Sequence, residues 1–165
     1  MKKIIAGLIL TALALPMSVN ANELIFGVKA GVHKVDSSAF DPAPLVSAQI
    51  SYEFLDLAVA DIAVELEVGK SISDGEIDGG GIKEDFSVTT AGLYLSARTA
   101  GPIYAIGRIG VARTELDFDA GDNNDTGIAV GAGLGFSLGV RTEIELTSYD
   151  VDDEQAFYLS LGAAF

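Results

Sequence analysis

Three groups of residues in this 165-residue chain are of the types that do chemistry. His33 is the only histidine, and Ser37 and Ser38 follow it closely. A histidine beside a serine hydroxyl and an acid is the constellation of an ester hydrolase. A lone histidine at an inward strand end is more often a hydrogen-bonded plug residue, and His33 is read as one. Asp117, Asp119, Asp122, Asn123 and Asp125 crowd one stretch with oxygen ligands of the kind calcium or magnesium takes. That stretch lacks the complete calcium loop with its final Glu, so it reads as a solvated, self-repelling loop with loose divalent binding as the alternative. The third group is Lys29, Glu53, Asp61, Glu65, Glu67, Arg98, Arg108, Arg141, Glu143 and Glu145, which share one parity in segments whose other parity is apolar. Side chains of one parity share one face of a strand, so these charges can pair with one another. There is no cysteine nucleophile, zinc cluster or phosphate loop, and no cofactor is expected.

The elements that carry these residues are legible from alternation. Eight segments alternate, at 23–33, 46–54, 60–70, 87–98, 103–113, 126–138, 140–149 and 155–165. In 46–54, Val46, Ala48, Ile50, Tyr52 and Phe54 oppose Ser47, Gln49, Ser51 and Glu53. In 126–138 the apolar positions oppose Gly131, Gly133, Gly135 and Ser137. Only 87–98 is irregular: Phe86 and Val88 have the wrong parity for Leu93 and Leu95, which predicts a bulge or a late start. The joins alternate long and short along the chain, as in a meander whose two ends differ in role.

Composition narrows the setting. Lys2 and Lys3, the apolar run from Ile4 to Leu15, and Val19-Asn20-Ala21 form a secretory signal peptide over 1–21, leaving one domain at 22–165. The run is too short for a spanning helix, and no later run reaches the roughly 18 residues one needs. Without the leader the chain holds 8 basic and 24 acidic side chains, net −16. Nucleic acid is excluded as a partner, since its phosphates would be repelled. The 49% hydrophobic content excludes disorder. The predicted long loops hold 16 acidic and 2 basic residues, while the remainder is nearly neutral, with 6 basic and 8 acidic.

In a soluble sheet the charged face would meet water and the apolar face a core. Here the apolar face is continuous around every segment, and each segment approaches the roughly 9 to 11 residues of a tilted membrane-crossing strand. The expected fold is therefore all-β: an eight-stranded antiparallel up-and-down transmembrane β-barrel with charges inside. A lipocalin-like soluble barrel is the structural alternative, but it needs a greasy interior. An eight-stranded barrel is just wide enough for side chains to fill it, so the ion pairs should plug it. Lys70 and Arg113 break the rule, having outward parity at the long-loop end, where they should mark the membrane boundary or meet lipopolysaccharide phosphates. Bridging divalent cations should matter beside them, because the acidic loops repel those phosphates.

The chain resembles the small outer-membrane β-barrel family, the group related to the OmpA transmembrane domain and to OmpX. The likeness is carried by the leader ending Val19-Asn20-Ala21, by Ala91-Gly92-Leu93-Tyr94-Leu95, Gly101-Pro102-Ile103-Tyr104, Arg108-Ile109-Gly110-Val111 and Arg141-Thr142-Glu143-Ile144-Glu145, and by Tyr158-Leu159-Ser160-Leu161 leading to Phe165. The resemblance implies a monomer exported to the outer membrane of a Gram-negative cell. It implies that the barrel-assembly machinery reads the last strand through Leu159, Leu161 and Phe165. A non-enzymatic role in envelope integrity or surface contact is expected. A lipid A-modifying enzyme and a small low-conductance pore are the alternatives. No cell-wall-binding domain is expected after Phe165.

Overall fold

Alternating residues become strands because successive side chains of an extended chain point to opposite faces. The computed structural model describes residues 23–36, 41–73, 75–78, 83–118, 121–151 and 154–165, and the predicted leader lies outside them. The strands are β1 (Glu23–Val35), β2 (Ala43–Leu57), β3 (Ala60–Ser71), β4 (Gly75–Asp78), β5 (Lys83–Thr99), β6 (Ile103–Phe118), β7 (Gly121–Ser137), β8 (Arg141–Val151) and β9 (Glu154–Ala164). Eight of them form the wall in the order β3-β2-β1-β9-β8-β7-β6-β5, and β5 pairs back onto β3 to close it. Every pairing is antiparallel. Phe26 and Phe165 exchange both backbone hydrogen bonds at 2.9 Å, so the seam is paired to the last residue.

Several boundaries differ from the expectation. The strand β6 runs on to Phe118 and β7 starts at Gly121, so the acidic stretch around Asp117 is the end of a hairpin and not a loop. Alternation persists there, with Leu116 turned in and packed against the interior cluster. Within the expected loop before β5, β4 pairs with the start of β5. The expected bulge near Phe86 is absent: β5 keeps one register with β3 from Thr89 to Thr99 and with β6 from Phe86 to Arg98. Phe86 and Val88 simply point inward with Tyr94 and are buried. A register shift occurs instead in β2, between Glu53 and Leu55 against β3, next to the turn.

The short joins collect at one end of the barrel. Gly101 and Gly139 have φ of 124° and 91°, a conformation that side chains resist, which allows these joins to reverse the chain in few residues. Outward positions carry Leu66, Val68, Leu93, Leu95, Ile109, Val111, Ile144, Leu146, Leu159 and Leu161, all about half exposed. The outward aromatics Phe26, Tyr52, Phe54 and Phe136 lie toward the short-turn end, where an interfacial girdle belongs. An apolar surface that surrounds the whole wall is stable only against lipid. Among the described residues no helix is long and apolar enough to cross a membrane, so crossing is by strands.

The belt can be tested by depth. Leu66, mid-strand and paired with Ile50 and Leu93, stands near the middle of the belt. Leu66→Arg should destabilise the bilayer-embedded barrel by about 2–4 kcal/mol, whereas Val59→Arg in the short turn should cost about 0–1 kcal/mol. Urea unfolding in lipid vesicles measures both, and equal costs would contradict the depth assignment.

Candidate functional site: the plugged interior and the outer rim

Inward residues of facing strands meet across the barrel axis, and their long side chains decide whether a channel exists. Arg108 is central. Its guanidinium lies 2.6 Å from Glu67 and 2.6 Å from Glu145, donates to Thr147 Oγ1 at 2.7 Å, and stacks 4.2 Å above the Tyr94 ring. Lys29 Nζ joins the same carboxylates, at 3.0 Å from Glu67 and 3.3 Å from Glu145. One layer toward the short turns, Arg98 lies 2.6 Å from Glu65 and 2.8 Å from Glu143. Ser96 donates to Glu65 at 2.7 Å and Tyr104 to Glu143 at 3.0 Å. Nearest the turns, Arg141 pairs with Glu53. Four cations thus face five carboxylates, which nearly neutralises the interior. Asp61 is partly exposed at the barrel end, opposite Asp56 in the ladder, and stands outside these buried pairs.

The glycines of β7 make this plug possible. A Cβ on Gly131 would come within 2.8 Å of Arg108 Cγ, and one on Gly135 within 2.4 Å of the Tyr104 ring. The inner face of β7 is bare because those two side chains lie flat across it. Glu65 Oε2 has no hydrogen-bond partner among the described residues, yet Arg108 is 3.9 Å away, so its partner is a Coulomb field.

Toward the long-loop end the interior changes character. Val35, Leu45, Phe86, Val88, Tyr94, Tyr149 and Tyr158 pack together there and are all buried. Beside the expected ion pairs, the long-loop end of the interior holds an apolar and aromatic seal. Phe86 and Val88 carry the signal for it in the sequence, since their parity is the inward one. His33 belongs to this seal. It is 2% exposed, with its ring 5.9 Å from that of Tyr149, and its Nε2 has no hydrogen-bond partner among the described residues. Ser37 and Ser38 lie outside the described residues.

The acidic stretch does not assemble around a point. Asp117 accepts a hydrogen bond from Ser87 at 3.2 Å, and Asp125 accepts one from the Thr126 amide at 2.7 Å. Asp122 is the ladder partner of Asp117, its side chain outside the described set, as is all of Asp119. Among the described residues no three acidic or histidine side chains gather as metal ligands. On the outer face, Lys70 and Arg113 are exposed toward the long-loop ends of β3 and β6. Lys34, assigned to a loop from sequence, continues the outward parity of Val32 at the top of β1 and is a third exposed cation at that rim. Leu159 and Leu161 face lipid, and Phe165 is half buried at the seam.

A closed eight-stranded barrel with an apolar outside and a charged inside is a transmembrane barrel of the outer-membrane type. Residues 5–165 match the outer membrane protein β-barrel domain family, and the chain belongs to that family. Its setting is therefore the outer membrane of a Gram-negative envelope. Among solved structures it is similar to Ail, the attachment invasion locus protein of Yersinia pestis, with 16% identity, TM-score 0.60, and coverage of 86% of this chain and 96% of that one. It is also similar to Neisserial surface protein A, with 18% identity, TM-score 0.54, and coverage of 86% and 95%. The outer membrane enzyme PagL aligns with 14% identity, TM-score 0.55, and coverage of 84% and 98%. At such identities the likeness is one of fold. No curated protein matches by sequence.

The plug has a measurable hierarchy. Arg108→Ala leaves Glu67 and Glu145 dependent on Lys29 and should destabilise the barrel by about 3–5 kcal/mol. Arg141→Ala should cost less, because its pair with Glu53 is nearer water. Urea midpoints of the two variants give the order, and a larger loss for Arg141→Ala would refute it.

Proposed function

We propose that this protein is a non-enzymatic, non-conducting surface barrel that supports envelope integrity or surface contact through its extracellular end. The observation that carries this reading is the Arg108 cluster, where one guanidinium bound to Glu67, Glu145 and Thr147 spans the lumen under an aromatic seal. Ions passing through would have to break buried pairs and part the aromatic layer. Catalysis at the outer rim is disfavoured by the burial of His33. Residues 1–21 would direct export, and the terminal strand with Leu159, Leu161 and Phe165 would serve assembly. The barrel would act as a monomer.

What remains accessible is the rim and the acidic end above it. Segments 34–45, 71–86, 114–126 and 149–155 hold 16 acidic and 2 basic residues, Lys34 being one of the two, and this net −14 would repel polyanions in solution. The heparin analogue bound to Ail is therefore not carried over. Phosphates of lipopolysaccharide, by contrast, lie at the level of Lys34, Lys70 and Arg113, below that acidic zone, and divalent cations can bridge the two. Planar-bilayer recording should give no steady conductance, and lipid A mass spectra should be the same with and without the protein. Lys70→Glu with Arg113→Glu should reduce lipopolysaccharide retained in native mass spectrometry, more strongly after chelation. A stable open channel, a new lipid A species, or unchanged retention would each overturn the corresponding part.

A further inference from the structure

The lipid-facing belt is not uniform. Across β9, β1, β2 and β3 it is indented by a groove of about 670 Å³. Ala30, Ala48 and Ala163 line it between the bulkier Val68 and Leu161, and Lys70 stands at one end. The strand register explains its course. Thr142, Ala163, Val28, Ala48 and Val68 are successive ladder partners on five adjacent strands. Thr142 is next to the short-turn start of β8, and Lys70 is next to the long-loop end of β3, so the tilted groove climbs from the periplasmic side to the extracellular rim. Four inter-strand steps give it a length of ~19 Å, that of a long acyl chain. Beyond Val68 the same ladder passes through Ala91 to Arg113, which brings the second cation to the upper end.

We propose that this groove seats one acyl chain of a lipopolysaccharide molecule of the outer leaflet, whose phosphate is held by Lys70 and Arg113. The inference rests on the rim reading above and adds to it the hydrocarbon half of the site. Charge complementarity selects the occupant: of the two lysines that line the groove, Lys29 turns its ammonium inward to Glu67 and Glu145, Lys70 stands at the extracellular end, and the opposite end closes on Thr142. An inner-leaflet phospholipid lying along the groove would place its phosphate at the wrong end. A neighbouring hollow of about 600 Å³, around Ile103, Leu134 and Phe136, meets the groove at Thr142 and Leu161 but has no charged lining residue to hold a headgroup. Within lipid the chain gains no hydrophobic energy by entering a groove. Selectivity comes from van der Waals fit and from the head-group ion pair, so the lipid exchanges.

The test separates the two halves. Ala48→Phe fills the groove and leaves both cations in place, with Ala30→Leu as a milder second variant. Lys70→Glu with Arg113→Glu removes the headgroup contacts and leaves the groove. Purified full-length barrels, checked for folding by the heat-dependent mobility shift, are reconstituted with lipopolysaccharide and with phosphatidylglycerol and weighed by native mass spectrometry. A parallel arm uses the deacylated, phosphorylated headgroup. Groove filling should lower retained lipopolysaccharide on the order of 3- to 10-fold and leave headgroup binding unchanged, while the charge variant should lower both. Parent-like lipopolysaccharide retention by both groove variants, with loss in the charge variant, would overturn the groove and keep the rim. Parent-like retention by all variants would overturn both. Equal retention of phosphatidylglycerol by the parent would overturn the assignment to the outer leaflet.

Discussion

In the hydrocarbon of a bilayer no water can satisfy a peptide group, so every N–H and C=O must find a partner within the protein. The ladder from β3 through β1 and β9 to β5, closed by β5 on β3 and finished by Phe26 with Phe165, is the answer this chain adopts. Other features depend on that closure. It leaves the eight-stranded wall without an edge, and it forces one parity of each of those strands toward lipid. The other parity is left in a lumen too narrow for anything but side chains.

That confinement decides how the charges behave. A guanidinium in the lumen of eight strands cannot reach bulk water, so Arg108 and Arg98 are bound by two carboxylates each. Removing one partner exposes the others to an uncompensated charge, which is why such a network is costly to break even where building it contributes little net stability. The glycines of β7 and the aromatic layer around Tyr149 and Tyr158 belong to the same problem of filling a cylinder. Where two long side chains lie against the wall, the wall must lose its own; where charges end, bulky apolar rings continue the filling.

The outer surface divides by height. Phe26, Tyr52, Phe54 and Phe136 mark the periplasmic side, and Lys34, Lys70 and Arg113 the extracellular side. At the same end stand the carboxylates of Asp36, Asp85, Asp117 and Asp150, among the described residues. In the function we propose, the basic collar would meet the phosphates of the outer leaflet first, and divalent ions would join the carboxylates to the remainder.

Alternation by itself determined the eight strands of the wall, the inward charges and the outward belt, because the two-residue period of an extended chain is a local property. Parity could likewise assign Lys29, Arg98, Arg108 and their carboxylates to one face. It could not say which of them meet, since Arg108 with Glu67 and Arg98 with Glu143 are joined across the lumen by register and tilt. Phe86 and Val88 show the same limit: read along the chain they broke a pattern, and only the closed barrel gave them a neighbour in Tyr94 and made their parity the right one. The hairpin to Phe118 and the short β4 were hidden because acidic composition resembles a loop, whereas backbone pairing with an adjacent strand is decided by the partner. The groove beneath Lys70 belongs wholly to tertiary structure, since Thr142, Ala163, Val28, Ala48 and Val68 become a line only when five strands lie side by side at a common tilt.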